Sequence, residues 1–328
     1  MKKVICFIIA LYGVHYSYCQ VDNSVQAAEE RVRQLMIAAE RLREYRQLVN
    51  AKSTFERPVT FPATNANGNK AESNFLSDIQ KAVDFYNSGL AKCKSQDFKG
   101  AISDMDKAIK LDNNFTDAYY IRGISKHYSG NNPGAIADYS QAIKLEPAFA
   151  GAYHDRGIAR RYMGNYKEAI ADYNKVVEID PAYAEAYYNR GFAYYKLQNF
   201  KDALADMDKA IELNNAFADA YNIRAATKGN LQDSTGALSD YNKAIEYNPG
   251  GEEAFYNRAV MQFSLKNYEA AIVDYTKTLQ LNPRYAQAYN NRGIAKIITG
   301  QKDACEDLKK AMELGYSSAA DVIKKYCR

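Results

Sequence analysis

Six arginines stand at one fixed interval in this chain, Arg122, Arg156, Arg190, Arg224, Arg258 and Arg292, and aspartates keep step with them at Asp104, Asp138, Asp172, Asp206, Asp240 and Asp274. A guanidinium and a carboxylate repeated in register can form a two-pronged ion pair. Such a pair fixes geometry more than it adds stability, because desolvation opposes the Coulomb gain. Catalytic chemistry has less to work with. Of three histidines, His15 lies in an apolar leader, and the chain has no Cys-x-x-Cys, His-Glu-x-x-His, Gly-x-Ser-x-Gly or P-loop sequence. Metal ligation, a cofactor and an activated nucleophile are therefore not expected, and the chain reads as a non-enzyme.

The elements that carry these residues repeat. The small residue after each arginine falls at Gly123, Gly157, Gly191, Ala225, Ala259 and Gly293, with Gly89 before them, each step 34 residues. A second small residue follows at Ala101, Ala135, Ala169, Ala203, Ala237 and Ala271. Each unit holds two helical segments split by a polar turn such as Leu197-Gln198-Asn199-Phe200. The second segment stops at Pro147, Pro181, Pro249 or Pro283, or at Asn113 or Asn215 in their place. Proline lacks the donor and clashes with the preceding turn, so it separates units without breaking them. A period of this length marks a stacked array in which no unit buries its apolar face alone, so function belongs on a surface.

The stretch Ala184 to Phe217, AEAYYNRGFAYYKLQNFKDALADMDKAIELNNAF, resembles the tetratricopeptide repeat family. With position one set seven residues before the small Gly or Ala, the family has an aromatic at four, small residues at 8, 20 and 27, an aromatic at 24 and proline at 32. The chain supplies Tyr119, Tyr153, Tyr187, Tyr221 and Tyr289 at four, with Phe85 and Phe255, and Tyr139, Tyr173, Tyr241 and Tyr275 at 24, with Met105 and Met207. The resemblance covers residues 74–316 in seven units, 82–115, 116–149, 150–183, 184–217, 218–251, 252–285 and 286–316. In the last unit one residue is missing after Gly300, so Ala304 and Asp307 take the roles of positions 20 and 23. The resemblance implies an all-α fold, a right-handed superhelical α-solenoid of helix-turn-helix repeats.

Leucine is usual at position seven of the family, whereas this chain has arginine, and Ser88 in unit one. Pairing of each arginine with the aspartate 18 residues earlier, in the preceding unit, would explain why unit one needs none. The expectation is a structural ladder between repeats.

The resemblance also implies that the first helices line a concave groove. Positions 5, 6, 12 and 13 place Tyr86, Asn87, Tyr120, Tyr128, His154, Tyr162, Tyr188, Asn189, Tyr195, Tyr256, Asn257, Phe263 and Asn291 on it. Amides along a groove can hydrogen-bond an extended peptide, and tyrosines add flat contact area at low entropic cost. The expected partner is a protein or extended peptide; an envelope glycan or peptidoglycan is the alternative. A chaperone C-terminal carboxylate clamp is not expected, because position two carries Asp117, Glu185, Asp219 and Glu253 where that clamp uses basic residues. Nor is nucleic acid, since the formal charge is only +4, from 43 basic and 39 acidic side chains, with no basic stripe beside the tyrosines.

The flanks carry the remaining expectations. Residues 1–19, with Lys2, Lys3 and an apolar run from Val4 to Val14, read as a signal peptide, so the chain is expected to be exported to the periplasm, the envelope or the medium. Tyr16, Ser17 and Tyr18 match a lipoprotein signal poorly, which argues against a lipid anchor on Cys19. Residues 20–52 read as an amphipathic helix, with two partners open for its 23–52 stripe: the first repeats, or a second copy in self-association. Residues 53–73 read as a flexible linker and 317–328 as a polar capping helix. In an oxidising compartment Cys305 and Cys327 are expected to join as a disulfide that staples this cap, leaving Cys93 free.

Overall fold

The computed structural model describes residues 67–327. The expected signal peptide, the amphipathic segment 20–52 and the linker up to residue 66 lie outside the described residues. The helix entering the first repeat starts at Asn67, so the end of the segment read as linker is helical. Past Pro62 and Gly68 nothing in the sequence breaks a helix; the stretch lacks an apolar stripe, which is why periodicity misses it.

Two compact bodies divide the described residues, one up to residue 180 and one from residue 181. In the first, α1 (Asn67–Lys94) and α2 (Phe98–Leu111), α3 (Thr116–Tyr128) and α4 (Asn132–Leu145), and α5 (Ala150–Tyr162) and α6 (Tyr166–Ile179) form three antiparallel pairs. In the second, α7 (Ala184–Lys196) pairs with α8 (Phe200–Leu213), α9 (Ala218–Asn230) with α10 (Ser234–Tyr247), α11 (Glu252–Ser264) with α12 (Tyr268–Leu281), and α13 (Ala286–Ile298) with α14 (Ala304–Glu313). A short α15 (Ala319–Tyr326) ends it. All described elements are helices, and the fold is an all-α repeat solenoid. Within each body the first helices of successive units touch one another directly. They form one side of the stack, and the second helices form the other.

One backbone device shapes every unit. Position 15 is left-handed throughout: Gly130, Gly164 and Gly300 take φ of 84°, 78° and 76°, and Gln96, Gln198, Gln232 and Lys266 take 65°, 60°, 65° and 63°. Each such residue ends the first helix in a Schellman motif, for instance Gln198 N to Tyr195 O at 2.9 Å and Asn199 N to Tyr194 O at 2.9 Å. The next residue caps the second helix where position 19 is glycine: Asp97, Asn131 and Asp233 accept from the amides of Gly100, Gly134 and Gly236. A Cβ on Gly100 or Gly236 would lie 2.1 or 2.0 Å from the capping carboxylate.

Between the helices of a unit, the glycine of position eight lies under the side chain of position 24. A Cβ on Gly123 or Gly157 would meet the Tyr139 or Tyr173 ring at 2.6 Å. The second body closes with Leu308, Ala311 and Ala319, covered by Val322, Ile323 and Cys327, so α15 turns an apolar face to the last repeat. Cys305 and Cys327 are joined, with 5.6 Å between their α-carbons, and Cys93 is free.

Candidate functional site

The arginines are held within their own repeat. Arg122 donates from Nε and Nη2 to both oxygens of Asp138 at 2.9 and 2.6 Å. The same fork joins Arg156 to Asp172, Arg190 to Asp206, Arg224 to Asp240, Arg258 to Asp274 and Arg292 to Asp307. The expected pairing with the aspartate of the preceding repeat is therefore wrong. Helices of one unit run antiparallel at glycine-allowed closeness, which sets position 7 opposite position 23 of the same unit.

A link between repeats exists, made by a different residue. Nη1 of the arginine reaches back to position 25 of the preceding unit: Arg122 to Asp106 at 2.6 Å, Arg156 to Ser140 at 2.9 Å, Arg224 to Asp208 at 2.7 Å, Arg258 to Asn242 at 2.6 Å and Arg292 to Thr276 at 3.0 Å. The guanidinium also lies over the ring of position four, as Arg122 over Tyr119 at 5.3 Å to the centroid. One arginine thus joins two helices of its own unit to the unit before, and unit one has no earlier position 25 to reach.

Position 11 was overlooked at the sequence level. In five units it is basic and reaches the same buried aspartate, beside the arginine in four of them and beside Ser88 in unit one: Lys92 to Asp104 at 2.6 Å, Lys126 to Asp138 at 2.8 Å, Arg160 to Asp172 at 2.7 Å, Lys228 to Asp240 at 2.8 Å and Lys296 to Asp307 at 3.0 Å. Units four and six have Tyr194 and Gln262 there. Two of the position-23 carboxylates shift, in opposite directions. Burial pushes Asp104 up, but Lys92, Ser88 and Lys107 outweigh it and hold the group at about 2. At Asp206 burial prevails over Arg190 and the carboxyl is raised.

The expected groove residues divide. Tyr86 and Tyr120 are 0% and 2% exposed, and His154 and Asn189 are buried too, so these four present almost no surface to a partner. Over Tyr86 and Tyr120 lies an aromatic at position 34, and the same position packs on position five in two later units without burying it fully. Phe115 stacks on Tyr86 at 4.9 Å, Phe149 packs on Tyr120 at 4.7 Å, Phe217 on Tyr188 at 4.9 Å and Tyr285 on Tyr256 at 4.7 Å. The period-34 row Phe115, Phe149, Tyr183, Phe217 and Tyr285 is visible in the sequence and was the available signal.

Position five also bonds to position six of the following unit. Tyr120 donates to Asp155 at 2.8 Å, Asn257 to Asn222 at 3.1 Å and Asn291 to the Tyr256 hydroxyl at 3.2 Å. Solvent still reaches Asn87, Tyr128, Tyr162, Tyr188, Tyr195, Tyr256, Asn257, Phe263 and Asn291. Several lean on a ring of the neighbouring helix: Tyr128 on Phe98 at 5.3 Å, Tyr195 on Phe200 at 5.9 Å and Phe263 on Tyr268 at 5.2 Å. Tyr162, 40% exposed, packs beside His127 at 5.3 Å. These side chains lie on the first-helix side and are separate from the arginine clamp.

A solenoid of paired helices with this glycine and aromatic spacing is a helical-repeat protein. Comparison with family profiles is specific: residues 123–161 and 157–198 match "TPR repeat", and residues 184–217, 218–250 and 252–285 match "Tetratricopeptide repeat". The chain belongs to the tetratricopeptide repeat family. No curated protein sequence matches it. Among solved structures it is similar to a tetratricopeptide repeat protein from Parabacteroides merdae, at 22% identity over 76% of this chain and 100% of that one, TM-score 0.62. It is also similar to PilW, a type IV pilus biogenesis factor, at 21% identity over 63% and 96% of the two chains, TM-score 0.56. The Cut9–Hcn1 hetero-tetramer of the APC/C is similar at 14% identity over 81% and 65%, TM-score 0.59. At these identities the likeness is one of fold.

Proposed function

We propose that the chain is an exported, non-enzymatic scaffold that holds a partner polypeptide along the first-helix side of its repeats. The family supports a role in protein–protein interaction. The observation that carries the finer reading is the separation of two residue sets. The position-23 aspartates and position-7 arginines, which could have suggested chemistry, are committed to each other. The solvent-reached rings and amides on the first helices lie apart from that clamp. Residues 1–19 and the Cys305–Cys327 disulfide support an oxidising compartment outside the cytosol.

An envelope glycan is less well served. Sugar rings stack on open aromatic faces, and here Tyr128, Tyr188 and Tyr256 already turn ring area toward Phe98, Phe217 and Tyr285. Edges, hydroxyls and amides remain, which suit a peptide backbone. Affinity capture from the native envelope with wild type and with Tyr195→Ala/Asn257→Ala separates the readings. Loss of a specific protein from the variant supports the scaffold; unchanged proteins with lost glycan retention would replace it with the glycan reading.

A further inference from the structure

Unit one departs from its siblings in the loop that leads to unit two. Positions 33, 34 and 1 there read Asn114-Phe115-Thr116, where later units have Ala148-Phe149-Ala150, Ala182-Tyr183-Ala184 and Ala216-Phe217-Ala218. This is the one Asn-x-Ser/Thr triplet in the 328 residues, and Asp112 makes it part of an acidic pentapeptide, Asp-x-Asn-x-Thr. An asparagine with a hydroxyl two residues on is the acceptor of N-linked oligosaccharide in exported chains.

The fold gives neither residue a packing role. Asp112 Oδ1 accepts from the backbone N of Asn114 at 2.9 Å, and the same bond runs from Ala216 N to Asn214 Oδ1 at 3.2 Å and from Arg284 N to Asn282 Oδ1 at 3.1 Å. Asparagine, alanine and arginine therefore serve this loop shape equally at position 33. Loop asparagines commonly spend their amides on nearby backbone. Asn114 does not: its side chain is exposed and makes no hydrogen bond among the described residues. Thr116, the first residue of α3, also leaves its hydroxyl unbonded among them, whereas Thr227, Thr276, Thr278 and Thr299 each bond a helix carbonyl. Phe115, between the two, is 5% exposed and stacks on Tyr86 at 4.9 Å. A ring anchored inward thus holds its neighbour's amide outward, where an attached oligosaccharide meets solvent.

We propose that Asn114 is an N-glycosylation site, modified during export. This rests on the export part of the proposed function and not on the groove. In the step, Asn114 Nδ2 displaces polyprenyl diphosphate from the anomeric carbon of a lipid-carried oligosaccharide. The C–N bond forms as the C–O bond to phosphate breaks, and the diphosphate leaves with that electron pair. One amide proton passes to a base of the host's transferase, and no atom changes oxidation state. Packing of Phe115 on Tyr86 fixes the loop backbone, so transfer precedes the closure of units one and two.

Mass mapping of the full chain produced in its native host tests it, read at the tryptic peptide 111–122. From wild type this peptide is expected to be heavier by an oligosaccharide, which a peptide N-glycosidase removes, leaving aspartate in place of Asn114. N114A and T116A are each expected to give the bare peptide. Both introduce the alanine that other units already carry at positions 33 and 1, such as Ala148 and Ala150, so each is expected to fold, as thermal unfolding reads. A bare peptide from wild type that has been exported and has lost residues 1–19 would overturn the inference and leave export standing. Recovery of the chain in the cytosol with residues 1–19 intact would remove both. A glycan that persists on this peptide in T116A or N114A would overturn the assignment to Asn114.

Discussion

Replacement of one clamp arginine should cost different amounts in different repeats, and the difference is set by position 11. In Arg258→Met the fork to Asp274 at 2.8 and 2.7 Å is lost, and position 11 of that unit is Gln262. Asp274 is 5% exposed, so its carboxylate is left buried without its guanidinium, a situation that costs about 3–5 kcal/mol. In Arg224→Met the same fork to Asp240 is lost, but Lys228 remains 2.8 Å from Asp240 Oδ2 and keeps the charge paired. The cost there should be lower by about 2 kcal/mol, the usual worth of a charge-assisted hydrogen bond at a buried group. Both variants lose a bond to the preceding unit, to Asn242 and Asp208 respectively, so that term does not separate them. Urea unfolding followed by circular dichroism gives the totals. Because arrays need not unfold as one unit, amide exchange in α11 and α12 against α9 and α10 locates the loss. Arg258→Met/Asp274→Leu, which removes both charges, should recover most of the deficit. Equal costs for the two single variants, or no rescue by the double one, would refute this account of position 11.

Three other outcomes follow from the same geometry. Gln198→Gly, at a left-handed φ of 60°, should raise stability by up to about 1 kcal/mol in urea unfolding, relief of side-chain strain exceeding the entropy glycine adds to the unfolded chain. Asp104 has its folded pKa lowered to about 2 from 3.8, so the stability it contributes is present above its unfolded value and is lost as pH falls through the folded one. Asp104→Asn is therefore expected to be most destabilising near neutrality and to converge with wild type in acid, as read by thermal unfolding at a series of pH values. At Asp206 the shift is upward, so the sign reverses and acidification withdraws no stability from that site. Reduction of the disulfide, which spans a sequence separation of 22, should destabilise the cap by about 3 kcal/mol and raise amide exchange first in α14 and α15.

The repeat and its boundaries were legible because stacking imposes one period on every residue that touches a neighbour. The shortened unit around Ala304 and Asp307 follows from that period alone, whereas the Tyr173 ring over Gly157 within one unit does not. The arginine clamp was half legible. Its members were evident from their spacing, but a period of 34 places the preceding and the same-unit aspartate equally well, and only helix packing decides between them. Ser88 pointed the wrong way: in unit one Asp104 keeps its partners within the unit, accepting from Ser88 Oγ at 2.7 Å and Lys92 at 2.6 Å. The groove was over-read for a related reason. Position five faces the first-helix side in helical projection, but its exposure cannot be read from that projection: Asn222 is buried with Gly251 in the loop after the second helix, Tyr188 stays half-buried beside Phe217 of that loop, and in the first two units the loop covers position five fully. Tyr86 under Phe115 and Tyr120 under Phe149 are buried by that loop.

Site-specific photo-crosslinking in the native host tests the central claim most directly. A photoreactive phenylalanine analogue at Phe263, Tyr195 or Tyr162 probes the first-helix side, and one at Val273, 66% exposed on the second helix α12, probes the opposite side. The account predicts one common protein adduct from the three first-helix positions and none from Val273. Adducts formed from Val273 and absent from the first-helix positions would contradict it.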